Sequence, residues 1–215
     1  MNIDKSVTPL PQILHESAPA CARRRSRVGE HRIDPDSLQH FNDLLRRLDI
    51  HSPPLECDQV VSAARELAAI ASERRWPPCI FQRMRRAAAL DRMLVDREWD
   101  VRDQPGQAAA EVVTYMHGNA QVIPNKVPVV GRLDDVILVD ASWPAVAQEV
   151  CDYLDFCRIR RIEAALRGAS DCHFGFTREA WQEAARAEAR WIEQCHRING
   201  SRYAGTSAAP RFRIH

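Results

Sequence analysis

Three aspartates stand close together in "GRLDDVILVDASW", from Gly131 to Trp143. Asp134, Asp135 and Asp140 are the residues best suited to chemistry, because carboxylates can hold a divalent cation or move a proton. On a helix, Asp134 and Asp135 diverge by about 100°, and Asp140 lies roughly 140° from Asp135. One helix face cannot bring the three together, and a hard cation needs further oxygen ligands from elsewhere. The pattern fits better with acids that open a helix. There they meet unpaired amide hydrogens and the positive end of the helix dipole, worth about 0.3–1 kcal/mol each. Asp140 shares a face with Val136 and Trp143, so burial would demand a partner such as Arg132 or Arg160.

Other chemistry-bearing residues are weaker candidates. Cys172-His173 and Cys195-His196 suggest zinc, but neighbours on a helix point about 100° apart, and no Cys-x-x-Cys occurs. No serine-hydrolase elbow, phosphate-binding loop, dinucleotide fingerprint or His-Glu-x-x-His is present. No metal and no cofactor are therefore expected. The seven cysteines are odd in number and widely spaced, and the first residues lack the layout of a secretory signal. Reduced thiols in a cytoplasm are the expected state.

Charge narrows the partners. Net charge is +1 over 215 residues, so no global field recruits polyanions. The local exception is "CARRRSR", where Arg23, Arg24, Arg25 and Arg27 could meet an anionic surface, each adding about 1 kcal/mol near charged lipid. Nucleic acid is the third option for this cluster, and the overall charge balance argues against it. A third helix carries Arg83, Arg86 and Arg97 interleaved with Asp91, Asp96 and Glu98, which reads as a solvated, ion-paired face. The most apolar window, Val127 to Ala147, contains Arg132, Asp134, Asp135 and Asp140, so the chain is not expected to cross a membrane.

The elements that must position these residues are helical. Residues 1–32 read as a disordered basic arm, residues 33–200 as one helical domain, and residues 201–215 as a flexible tail. "DPDSLQHFNDLLRRL" offers Asp34 as a cap, Pro35 at the first helical position, and Leu38, Phe41, Leu45 and Leu48 on one stripe. A second helix begins near Asp58. Trp76-Pro77-Pro78 precedes a third, and "DQPGQ" separates a fourth that begins at Gln107. A short buried helix follows the proline-rich stretch, and a new helix is expected to start near Pro144 and run to about Leu166. The last should begin after Thr177, carry Ala180, Ala184, Ala187, Trp191, Cys195 and Ile198 inward, and stop at Asn199-Gly200. No alternating β pattern is visible, so the fold class is all-α, a single bundle of six or seven helices.

The stretch between the fourth helix and the acids is the most distinctive. Pro124 and Pro128 impose an extended, stiff path, and Gly131 admits a turn that a side chain would block. Tyr115, Ile123, Pro124, Pro128, Gly131, Leu133, Asp134 and Asp135 together resemble the signature of the YkvA-like family, a bacterial domain of unknown function. The likeness lies within residues 108–166 and covers roughly 30 of the 215 residues. Asn119, Gln121, Asn125 and Arg132 stand where that pattern has proline, two acids and an aromatic. The resemblance implies a helical module associated with a membrane or a partner, and no known reaction.

The expected function is accordingly non-enzymatic. The chain is read as a cytoplasmic, partner-binding or peripheral inner-membrane module, with the segment 127–147 and the basic arm making the contact. The partner could be another protein or a second copy of the chain. Two alternatives stand beside it: an enzyme holding a divalent cation at Asp134 and Asp135, and a nucleic-acid binder using the arginine-rich arm.

Overall fold

A computed structural model describes residues 7–16, 25–71, 76–170 and 174–203. Within them the fold is all-α, with six helices and one two-stranded ribbon. The helices are α1 (Pro35–Leu48), α2 (Cys57–Ile70), α3 (Pro78–Val95), α4 (Asp103–His117), α5 (Leu133–Leu166) and α6 (Arg178–Tyr203). The chain divides within α5 into two compact units, Met1–Leu154 and Asp155–His215.

Helix α1 starts as its sequence dictates. The Asp34 carboxylate accepts from the Ser37 amide at 2.9 Å, Pro35 opens the helix, and Phe41, Leu44 and Leu45 turn inward. Helix α2 opens with a reciprocal pair between Glu56 and Gln59. Helix α4 begins four residues before the expected start, because Pro105 falls in its first turn, where its missing amide hydrogen has no intrahelical partner to lose.

Two helix ends differ from expectation. The short buried helix and the one expected to start at Pro144 are one continuous α5 of 34 residues. An interior proline costs about 3 kcal/mol. Val136, Leu138, Val139, Val146 and Val150, on both sides of it, are fully buried. At about 1.5–3 kcal/mol each, that burial outweighs the lost turn. Helix α6 runs through Asn199-Gly200 to Tyr203. A glycine in a helix costs only about 1 kcal/mol and does not force a stop. Thr177 does cap α6, accepting from the Ala180 amide at 3.4 Å.

The arm also differs over its described residues. Arg27–Val28 (β1) pairs with His31–Arg32 (β2) across a turn in which Gly29 takes a φ of 59°. Leu10, Leu14 and Val28 are buried. The buried Gln59 side chain donates to the carbonyls of Ile13 and Glu16 at 3.2 and 2.7 Å. The segment shows no apolar stripe in sequence, yet a few apolar anchors suffice to seat it. Residues 204–215 of the expected tail lie outside the described residues. No helix among the described residues is long and apolar enough to cross a membrane.

Candidate functional site

The site is built from the end of α4, the loop 118–132 and the first turn of α5. Tyr115 lies in the last turn of α4. The loop then winds tightly: the amide of Val127 donates to the Pro124 carbonyl at 2.9 Å, and the amide of Gly131 to the Val127 carbonyl at 3.0 Å. A side-chain carbon on Gly131 would sit 2.6 Å from the Val127 carbonyl oxygen and 2.8 Å from those of Asn125 and Pro124. Close approach of three carbonyls therefore excludes any other residue there. Between them, the Val130 amide bonds the Pro128 carbonyl at 2.7 Å, and Val129 takes a φ of 70°. This is a γ-turn of the strained hand, held by a β-branched residue.

Asp134 fastens the loop. Its Oδ2 accepts from the Tyr115 hydroxyl at 2.7 Å and from the amides of Val122 and Ile123 at 3.0 and 3.3 Å. Asp135 accepts from the Arg132 guanidinium at 2.8 Å. Both acids lie in the first turn of α5, as expected, and both are essentially sealed from solvent, at 1% and 0% exposure. Each keeps its Oδ1 buried without a hydrogen-bond partner.

Electrostatics follow from that seal. Burial pushes the Asp134 carboxyl above its ordinary range, against the pull of Tyr115 and the loop amides. Burial, then the neighbouring Asp134 charge, pushes Asp135 up to about 7, while Arg132 pulls the other way. Burial, then Asp134, also raises Tyr115, so its phenol stays a donor. Two buried carboxyls are neighbours, and only Asp135 is bonded to a guanidinium. The surroundings favour retaining one proton near neutral pH.

The family-like residues thus come together as one knot. Tyr115 and Asp134 bond directly, Ile123 presents its amide, Pro124, Pro128 and Gly131 shape the loop, and Leu133 is buried. Neither of two clefts in this unit is lined by Asp134 or Asp135. One, of about 190 Å³, lies among Leu10, Leu14, Leu45, Asp49 and Asp140. The other, of about 410 Å³, lies between α1 and α4, with Tyr115 on its wall. Among the described residues, no three metal-ligating side chains gather.

Asp140 belongs to a different cluster, with different partners from those expected. It pairs with Arg83 at 2.7 Å and Arg86 at 3.7 Å, not with Arg132 or Arg160. Arg83 and Arg86 are buried, at 4% and 6% exposure, so this part of the third helix is not a solvated face. Arg83 also donates to the carbonyls of Thr8 and Cys79, and the Arg86 guanidinium lies 4.0 Å over the Trp143 ring. The signal was present: positions 79, 83, 86, 90 and 93 keep the spacing of an inward stripe, with arginine at two of them. Glu149, equally buried and bound to Arg102, gave no signal beyond its place beside Val146 and Val150.

The remaining candidates scatter. Arg25 binds Asp58 and Ser62 on α2, Arg27 is exposed, and Arg23 and Arg24 lie outside the described residues. Cys172 and His173 lie outside them too, and Cys195 is a half-buried free thiol. Within the segment 127–147, the apolar side chains of Leu133, Val136, Leu138, Val139 and Val146 are core. Compared with protein-family models, curated proteins and solved structures, the chain gives no match.

Proposed function

We propose that the chain is a YkvA-like helical module that works by binding, to a protein partner or a membrane surface, and not by catalysis. The observation that carries this reading is the inward commitment of Asp134 and Asp135. Their bonded oxygens hold a loop to a helix, both side chains are sealed from solvent, and neither acid lines either of the two clefts described above. Catalytic carboxylates need access to the reacting atoms.

Thermal unfolding with and without magnesium, calcium or manganese tests the reading. The wild-type midpoint is expected to stay the same in all of them, and Asp134→Asn to lower it without changing that insensitivity. A cation-dependent rise that Asp134→Asn removes would establish the cation enzyme instead. For the arm as a nucleic-acid contact, the Arg25 backbone amide is tied to Asp58 and its exposed guanidinium only to the Ser62 hydroxyl, and the overall charge balance argues against a polyanion partner. A salt-dependent mobility shift with DNA or RNA would restore that alternative.

A further inference from the structure

The second unit, taken by itself, leaves one helix half uncovered. The first turns of α6 are held: Trp181 donates to Asp155 at 2.9 Å, and Glu188 receives Arg158 at 2.6 and 3.2 Å. The Phe176 ring, just before α6, lies tilted with its centroid 5.4 Å from that of the fully buried Phe156. Beyond Glu188 the apolar stripe continues with large side chains partly in solvent. Trp191 is 66% exposed, and Ile192 and Ile198 nearly half exposed.

Charge is arranged around that stripe. Trp191, Cys195 and Ile198 fall within about 60° on the helix, and the exposed Arg190 and Arg197 flank them about 100–120° away from Trp191. Glu193 lies on the opposite side and pairs with Arg197 at 3.9 Å. Residues 155–215 carry 11 basic and 7 acidic side chains, whereas residues 1–154 carry 19 and 22. A negative surface would therefore attract the second unit and repel the first.

Resting on the binding-module reading, we propose that the Trp191–Ile198 ridge of α6 docks on an anionic phospholipid surface. The ridge carries an exposed tryptophan at its amino-terminal end and arginines along one flank, the pattern of a helix lying in the headgroup layer. The apolar side chains supply the first contact and the arginines the second signal that stable attachment requires. A second copy of α6 fits less well. Antiparallel pairing would set Arg190 and Arg197 against each other across the two copies.

Flotation of the full chain with vesicles decides the matter, using phosphatidylcholine alone or with about one third phosphatidylglycerol. The chain should float with the anionic vesicles, weakly or not at all with the neutral ones, and be released at about 1 M salt, where screening reaches about 3 Å. Arg190→Gln with Arg197→Gln should weaken binding about 25-fold, or about fivefold for each arginine. Trp191→Asp should abolish it while leaving the melting midpoint unchanged. Absence of flotation, or flotation indifferent to these substitutions, overturns the proposal. So does a dimer that Trp191→Asp dissolves while the chain stays off vesicles, since that makes the ridge a self-contact. Failure here would leave the metal-insensitivity of the melting midpoint, and with it the binding-module reading, untouched.

Discussion

Helix α5 carries two buried acid clusters, six residues apart, with opposite charge balance. Of the adjacent acids Asp134 and Asp135, only Asp135 meets a guanidinium, that of Arg132, whereas Asp140 is shared by two, Arg83 and Arg86. An excess carboxylate can be relieved by keeping a proton, and the raised Asp135 does so. An excess guanidinium cannot, because arginine stays charged. Its charge is spread instead over the Thr8 and Cys79 carbonyls and the Trp143 ring. The first cluster is therefore sensitive to pH and the second to the loss of its single acid.

The largest expected effect breaks the second cluster. Asp140→Ala removes an acid shared by two buried guanidiniums and should cost about 3 kcal/mol, the low end for a broken buried pair because Asp140 is itself partly wetted. Urea unfolding measures it, and Asp140→Asn should recover only part. Next comes Gly131→Ala, which pushes a methyl into three carbonyls and should cost about 2 kcal/mol. Gly106→Ala is its control, since the added carbon meets only the Val101 side chain, 3.1 Å away. Smaller again is Tyr115→Phe. Asp134 keeps the two loop amides, so a loss of about 1–2 kcal/mol is expected, with amide exchange quickening at Val122 and Ile123.

Much of the scaffold could be read before folding, because local chemistry decided it. Asp34 with Pro35, the acids in the first turn of α5, and Thr177 before α6 work within one turn of chain. What escaped depended on distant partners. Arg83 and Arg86 look solvated until Asp140 arrives from more than fifty residues away. Pro144 looks like a boundary until burial on both sides is counted. The inward path of Asp134 was hidden for the same reason, since its donors lie on α4 and the loop rather than on its own helix. The arm misled because its charges outnumber the apolar side chains that seat it.

Stability against pH probes the knot most directly. In the fold Asp135 holds its proton to about 7, well above the unfolded value of 3.8. The folded state thus binds more protons between those limits, and the contribution present at the acid end is lost as pH rises through the window. Asp134 is shifted the same way, and His117 and Arg132 are the cationic groups opposing the shift of Asp135. Urea unfolding of the wild type and of Asp135→Asn, across about pH 4 to 7, should show the wild type losing stability relative to the variant. The difference should change by up to about 1.4 kcal/mol per pH unit, with or without magnesium. A wild type that gains on the variant as pH rises would mean that Asp135 stands ionised in the fold and would contradict the account, and a trend that magnesium reverses would make the knot a metal site.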